Sequence, residues 1–142
     1  MKKLVYLLSA LLAVMACHEV YKAPKPVQDS FEAMFPGATN LDWEKEMGLY
    51  KAEFDHDGHE KEAWFSAEGE WSRTETEVRL SEVPETVLNT AREWCDWEIE
   101  DVFFCERADG GQSYYKFEFE KDFSDREKVL HVRPNGSIMS GF

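Results

Sequence analysis

A pentapeptide strand motif occurs twice in this chain. Tyr-Lys-Ala-Glu-Phe at residues 50–54 returns as Tyr-Lys-Phe-Glu-Phe at residues 115–119, with four of the five residues identical. Both copies alternate aromatic or apolar residues with charged ones, the period of a β-strand that has one buried and one wet face. Because the residues around each copy also match, the sequence predicts a duplicated structural unit.

A helix is predicted at the start of each unit. The first begins at Pro24 and the second at Pro84, since proline is tolerated in the first turn of a helix, and Ser81 is the expected cap of the second. Apolar residues then follow at the same helical offsets in both units: Val27, Phe31, Met34 and Phe35 in the first helix, and Val87, Ala91, Trp94 and Cys95 in the second.

Four strands are predicted after each helix, separated by turn signals. In unit one the turns fall at residues 47–48, 57–58 and 68–69, and in unit two at residues 109–111, 121–126 and 135–136. The fourth strands are predicted at residues 70–78 and 137–141. The separation between equivalent residues grows only where a turn of unit two is longer, which is typical of duplication with loop insertions.

The charged face of these strands determines the fold class. Strands with one charged face do not belong to a sheet that is covered on both sides, so we expect an α+β fold. It consists of two tandem helix-plus-four-strand antiparallel units that share one sheet, with the helices on one face. A single unit of about 55 residues would bury little core, which favours a shared sheet.

The N-terminal segment has the features of an export signal. Lys2 and Lys3 precede an apolar run at residues 4–16 that is shorter than the roughly 20 residues needed to span a bilayer. Cys17 follows Val-Met-Ala, which resembles a lipobox, so we expect Cys17 to be lipidated; ordinary cleavage after Ala16 is the alternative. The predicted organisation is signal peptide 1–16, lipidated N-terminus and tether 17–26, and domain 27–142, with unit one at about 27–80 and unit two at about 81–142.

The chain is strongly acidic. It has 29 Asp and Glu against 16 Lys and Arg, a formal net charge of −13 that becomes −15 when Lys2 and Lys3 leave with the signal peptide. Such a charge disfavours nucleic acid and anionic membrane surfaces as partners and suits basic partners or divalent cations. An acidic surface that only keeps an exported protein soluble is the alternative.

The two cysteines of the domain fall at different places in the predicted register. Cys95 ends the second helix, whereas Cys105 points to the face away from it. The register therefore favours two free thiols over a disulfide, although an oxidising compartment permits one.

One stretch of the chain resembles a known family. Phe-Pro-x-Ala-x-x-Leu-x-Trp-Glu at residues 35–44 leads into the first motif, Ala-Trp-Phe-x-x-Glu-Gly-Glu-Trp at residues 63–71, Thr-Glu-x-Glu at residues 74–77 and Leu-x-x-Val-Pro at residues 80–84. This pattern is similar to that of PepSY-like, beta-lactamase-inhibitor-protein-like envelope proteins, and the resemblance extends over residues 24–142.

The resemblance has implications for fold and function. It implies one curved sheet with helices on its convex side and no enzymatic activity. It also implies that the concave face docks a partner enzyme, as in the inhibitor namesake, and related PepSY domains are proposed to restrain or chaperone peptidases.

Candidate binding residues lie on the charged strand face. Trp64 and Tyr114 fall out of phase with the core residues, so they are the better candidates for exposed aromatic side chains that anchor a partner. Packing of both sheet faces near the strand ends is the alternative. The predicted binding face consists of Lys51, Glu53, Trp64, Tyr114, Lys116 and Glu118.

A second candidate is a metal site in a hairpin. Asp55, His56, Asp57 and His59 are potential ligands within a few residues, but a tight hairpin directs successive side chains apart, so a solvated turn is the alternative. The sequence shows no phosphate loop, nucleophile elbow or metalloprotease motif. No catalytic residue and no cofactor is therefore predicted.

These observations favour one function over two others. We expect a non-catalytic, lipid-anchored protein of the periplasm or outer membrane that binds an envelope protein, such as a peptidase, in an inhibitor-like manner. A metal- or small-ligand-binding sensor and an accessory structural lipoprotein are the alternatives.

Overall fold

A computed structural model describes residues 21–121 and 126–140 of the protein. Within these residues the chain forms two α-helices and one seven-stranded sheet, in which sequential strands are antiparallel neighbours throughout. The α+β class and the antiparallel sheet predicted from the sequence are confirmed. Neither helix has the length and apolar content that a membrane-spanning helix needs. The predicted signal peptide and Cys17 lie outside the described residues.

The elements follow one another in a simple order. They are α1 Lys25–Met34, β1 Thr39–Glu46, β2 Leu49–His56, β3 His59–Phe65, β4 Trp71–Glu77, a 3₁₀ turn Leu80–Glu82, α2 Glu85–Trp94, β5 Glu98–Arg107, β6 Tyr114–Glu120 and β7 Glu127–Val132.

Both helices start directly after the predicted prolines. Pro24 and Pro84 are the N-cap residues, and neither helix has a side-chain cap. The predicted cap Ser81 is wrong, because it lies in the preceding 3₁₀ turn. Helix α1 begins within the segment assigned to the tether, and Ala23 is already part of the core.

The first helix packs on residues from strands β1 to β3. Phe31 is its central residue: its ring centroid lies 4.7 Å from that of Phe54 and 5.4 Å from that of Trp43. The buried cluster is formed by Ala23, Val27, Phe31, Phe35, Trp43, Ala52, Phe54, Ala63 and Phe65.

The second helix packs on residues from strands β5 to β7. Val87 and Ala91 of α2 are fully buried, in positions equivalent to Val27 and Phe31 of α1. The cluster is formed by Val83, Val87, Leu88, Ala91, Cys95, Val102, Phe117, Phe119, Leu130 and Val132.

The last residue of each helix is partly exposed and does not lie in the core as the sequence predicts. Met34 and Trp94 were expected to be buried, but each is 41% exposed. The chain leaves the helix at the next residue, and the side chains of Phe35 and Cys95 fill the core there instead.

The two predicted four-strand units are not confirmed. Unit two has three strands, and within the described residues an isolated bridge between Val132 and Ile138 stands in place of its fourth. Backbone bonds from Arg133 N to Ser137 O and from Met139 N to His131 O tie this segment to the end of β7 without forming a regular strand.

Two predicted hairpin turns are confirmed. Residues 47–48 and 57–58 form two-residue loops in which both positions have left-handed backbone conformations, with φ of 49° and 84° and of 54° and 78°. Turns of this kind match the twist of the flanking strands.

Gly69, in the turn after β3, lies close to the first helix. Its φ is +86°, and a Cβ there would lie 2.5 Å from the carbonyl oxygen of Pro26 and 2.7 Å from Ser30 Oγ in α1. Gly37 has a similar φ of +82° but open space around it. The turn after β3 thus fits against the first helix only when residue 69 has no side chain.

We predict that Gly69→Ala lowers the free energy of unfolding by about 2–4 kcal/mol, because backbone strain and steric overlap add. Gly37→Ala, with strain alone, should cost about 1 kcal/mol. Urea denaturation of both variants measures the difference. Equal losses would contradict the close packing of this turn on α1.

Candidate functional site

A row of carboxylates crosses four neighbouring strands on one face of the sheet. The register places Asp42 opposite Glu53, Glu53 opposite Glu62, and Glu62 opposite Glu75. These four residues, the carboxylate ladder, alternate along their strands with buried core residues such as Ala52 and Ala63, and the face they share is called the charged face. Like charges directly opposite one another destabilise a sheet, so the ladder needs compensation.

Lys51 compensates the middle of the carboxylate ladder. Its Nζ lies 2.6 Å from Glu53 Oε1, 2.9 Å from Glu44 Oε2 and 3.9 Å from Glu62 Oε1, and its side chain is only 11% exposed. Burial lowers the pKa of Lys51, but hydrogen bonds to Glu53 and Glu44 outweigh it and raise the pKa above its ordinary value. The lysine is therefore fully charged at any physiological pH.

Lys116 compensates the end of the ladder on β4. Its Nζ lies 2.5 Å from Glu75 Oε2 and 3.2 Å from Glu118 Oε1, and 4.3 Å from the centroid of the Phe103 ring. Burial lowers the pKa of Lys116, but the hydrogen bonds and charges of Glu75 and Glu118 together raise it above its ordinary value. The structure thus gathers four predicted face residues, Lys51, Glu53, Lys116 and Glu118, into two ion clusters.

The predicted exposure of Trp64 and Tyr114 is wrong. Both lie on the charged face, but they are only 4% and 7% exposed. The Arg73 guanidinium lies 3.9 Å from the Trp64 ring centroid, and the indole N–H of Trp64 donates to Glu46 at 2.7 Å. Tyr114 lies beside Arg107 and the ring of His131, whose centroid is 5.3 Å away. Long side chains from neighbouring strands cover both aromatic rings.

An open groove of about 430 Å³ runs along the carboxylate ladder. Phe103 is among its few apolar lining residues, together with Phe54. Seven carboxylates line it: Asp42, Glu53, Asp55, Glu60, Glu62, Glu75 and Glu77. The groove is therefore an acidic concavity with an aromatic ring at one side.

Several carboxyl groups near the groove have pKa values above the ordinary range. Burial raises the pKa of Glu62, with repulsion from Glu53 adding to it and the Lys51 charge opposing it. Burial also raises the pKa of Glu77, helped by a hydrogen bond with Glu60, and the pKa of Asp101. Burial is the main cause of all three shifts, and repulsion between neighbouring carboxylates adds to it.

The predicted hairpin metal site does not form. The Nδ2 of Asn40 donates to Asp55 at 2.5 Å, His56 Nε2 lies 3.1 Å from the carbonyl oxygen of Pro36, and His59 Nε2 lies 3.0 Å from Glu82 Oε1. His56 Nδ1 lies 3.2 Å from Asp57 Oδ2, whereas Asp55 and His59 turn to other neighbours. Over residues 21–121 and 126–140, no group of three or more His, Cys, Asp and Glu could hold a metal ion.

The two cysteines are free, as the register favoured. Cys95 lies in the core beneath α2, and Cys105 lies on the charged face opposite Tyr114. Burial raises the pKa of the Cys105 thiol to about 12.

The comparison with known proteins decides the family. Residues 48–139 match the family described as "Putative beta-lactamase-inhibitor-like, PepSY-like". The chain belongs to this PepSY-like family. No curated protein matches the chain.

Solved structures of Bacteroides proteins have a similar fold. A DUF2874 family protein from Bacteroides ovatus is 28% identical over 84% of this chain and 86% of that chain, with a TM-score of 0.76. A BLIP-like protein from Bacteroides fragilis is 28% identical over 84% and 86%, with a TM-score of 0.72. A protein from Bacteroides eggerthii described as a putative periplasmic protein is 25% identical over 84% and 88%, with a TM-score of 0.76.

Several residues that line the groove of this PepSY-like chain could not be predicted from its sequence pattern. Glu62, Glu75 and Glu77 share the period-2 phase of the charged strand faces, and that phase was the available signal. Their alignment with Glu53 depends on the pairing register. Phe103 was missed because it lies next to Val102 and Phe104, which indicate a core strand.

We predict that Glu77→Gln stabilises the protein at pH 7 by about 0.2–1 kcal/mol, because it removes one like charge from the groove. The pKa of Glu77 is raised on folding, so its destabilising effect is absent at low pH and develops as the pH rises through that pKa. The gain should therefore disappear on acidification. Thermal unfolding between pH 4 and pH 8 tests this, with the exposed turn residue substitution Glu68→Gln as a charge-matched control that should have little effect.

We also predict that Cys105 resists thiol reagents in the folded protein. Its side chain is 1% exposed, and its raised pKa leaves little thiolate at pH 8. A Cys17→Ala/Cys95→Ala variant, in which Cys105 is the remaining thiol, should react with Ellman's reagent only after unfolding. Rapid reaction of the native variant would contradict the burial of Cys105.

Proposed function

We propose that this PepSY-like protein is a non-catalytic module of the bacterial cell envelope that binds a protein partner on the charged face. The observation that carries the proposal is the acidic groove on an open sheet face, whose negative charge is only partly compensated by Lys51 and Lys116. The family description and the similarity to a BLIP-like protein support an inhibitor-like mode of action.

The charge of the groove identifies the kind of partner. A lysine or arginine side chain entering it would meet the carboxylates of Glu60, Glu62 and Glu77. Burial raises the pKa values of Glu62 and Glu77, and repulsion from neighbouring carboxylates adds to the effect. Phe103 offers a ring face of the type that packs against cationic side chains, and the Lys116 ammonium already lies over it. We therefore propose a partner with a basic segment, and a net charge of −15 would steer it toward the protein.

The proposed architecture leaves the charged face open to this partner. We propose two equivalent units whose helices pack on the opposite face of one sheet. Gly69 approaches Pro26 and Ser30 in α1, and Gly136 approaches Thr86 and Thr90 in α2. The helix residues are separated by 60 positions in both pairs, which supports equivalence of the two helix–turn contacts.

The proposed location is the cell envelope. Residues 1–16 would direct export, and Cys17 would carry the lipid anchor, with the domain in the periplasm or at the outer membrane. The similarity to a Bacteroides protein described as periplasmic supports this location. A peptidase of the same compartment is the partner class that the inhibitor-like family description favours.

Differential crosslinking and capture from the native envelope tests the proposal. We expect the tagged protein to capture a reproducible protein partner, and the double variant Glu62→Gln/Glu77→Gln to lose it. The double variant Glu68→Gln/Glu93→Gln has the same net charge but alters exposed positions outside the groove, and it should retain the partner. Capture should also fall steeply as the salt concentration rises.

Two results would contradict the proposal. One is that no protein is captured reproducibly. The other is that both double variants lose the partner equally, which would point to the overall charge and not to the groove.

A further inference from the structure

Two arginines lie side by side on the charged face, next to the carboxylate ladder. The register places Arg73 on β4 directly opposite Arg107 on β5. Like charges in directly opposed positions destabilise a sheet, as in the carboxylate ladder. The chain as a whole is acidic. These two guanidinium groups therefore form a local concentration of positive charge that the composition does not indicate.

Both guanidinium groups are held in place by their surroundings. The Arg73 guanidinium stacks on Trp64, 3.9 Å from the ring centroid. The Arg107 guanidinium lies over the ring of Tyr114, 6.0 Å from its centroid, next to the turn after β5. Gly111 makes room for it: a Cβ at that position would lie 1.7 Å from the Arg107 Nη2 atom. The pair is therefore preorganised, which reduces the entropy lost when it binds a ligand.

The two arginines line a common cleft of about 520 Å³ at the end of the sheet. Asp109 Oδ1 lies 3.2 Å from Arg107 Nε, but in a geometry that makes no hydrogen bond. In the described part of the chain this buried Nε donor has no acceptor, and such a group is costly to leave unpaired. Arg73 also has one carboxylate nearby, with its Nε 3.9 Å from Glu75 Oε1. The cleft thus combines two guanidinium groups, each with one neighbouring carboxylate, with space and a donor that makes no hydrogen bond.

We infer that this cleft binds a carboxylate, carried by an aspartate or glutamate side chain of the protein partner. Guanidinium groups match the planar, two-oxygen geometry of a carboxylate. Glu70 and Asp109, which also line the cleft, disfavour more highly charged anions such as phosphate. The inference rests on the proposed function, because it assigns a second contact to the same docked partner.

The position of the cleft sets the spacing of the partner's charges. Arg73 and Glu75 are two residues apart on β4 and share a face, so their backbone positions lie about 7 Å apart. Their side chains approach more closely, with 3.9 Å between Arg73 Nε and Glu75 Oε1. An extended partner segment has the same spacing between residues i and i+2. The preferred segment therefore carries an acidic residue and a basic residue separated by one position.

Nuclear magnetic resonance of the arginine Nε–Hε groups tests this inference with three blocked peptides. The probes are acetyl-Ala-Asp-Ala-Arg-Ala-amide, the same peptide with Asn for Asp, and the same peptide with Gln for Arg. We expect saturable shifts of the Arg73 and Arg107 signals with the first peptide and affinity about tenfold lower with the Asn peptide. Arg73→Lys and Arg107→Lys should each reduce that preference to about twofold or less, whereas Arg79→Lys, outside the cleft, should preserve it.

The outcomes separate the two proposals. Equal binding of the Asp and Asn peptides, or tighter binding of inorganic phosphate than of the Asp peptide at these signals, would overturn the carboxylate site and leave the acidic groove intact. Equal binding of the Arg and Gln peptides would instead count against the acidic groove. Circular dichroism of each lysine variant confirms that a lost preference does not reflect unfolding.

Discussion

The charged face of this sheet depends on two lysines that are almost buried. Four strands align Asp42, Glu53, Glu62 and Glu75 in a single row, an arrangement that electrostatic repulsion would destabilise if it stood alone. Each lysine lies within 4 Å of at least two carboxylates, and burial strengthens these interactions relative to those at an open surface. The sheet can therefore carry a dense acidic surface on one side while the other packs against apolar residues.

This compensation is incomplete, and its incompleteness suggests how the protein works. Lys51 contacts Glu53 and Glu62, and Lys116 contacts Glu75, but seven carboxylates line the groove. Burial also keeps the pKa values of Glu62 and Glu77 raised. Repulsion within such a surface decreases when a cationic group of a partner protein binds to it. A substitution that removes one negative charge has the same effect. The neighbouring Arg73–Arg107 pair gives the same face a region of opposite sign, so that the two together favour a particular order of charges in a partner.

Much of the fold could be predicted because its signals are local. Proline at the helix starts, glycine in the hairpin turns and the period of the repeated strand motif depend on neighbouring residues, and they predicted both helices and the seven strands. The repeat also suggested an eighth strand, but equivalence between units does not ensure that the last segment pairs regularly. Ser81 shows the same limit: a residue suited to capping lies in a separate turn.

The candidate site could be predicted less well because it depends on pairing across strands. The sequence indicated that Trp64 lies off the core face, which is correct, but the stacking of Arg73 that buries it follows from the register of β3 and β4. The carboxylate ladder likewise exists only in the observed register. The charged residues of the motif, Lys51 and Lys116, were recognised as a face, whereas their role in compensating Glu62 and Glu75 required the structure.

The central claim is that the charged face, and not the exposed surface of α2, contacts the partner. Site-specific photocrosslinking in the native envelope tests it most directly, with p-benzoylphenylalanine introduced at Phe103 in the groove or at Trp94, an exposed aromatic residue of α2. Our account predicts a crosslinked protein adduct from position 103 and none of comparable yield from position 94. An adduct from position 94 alone would contradict it.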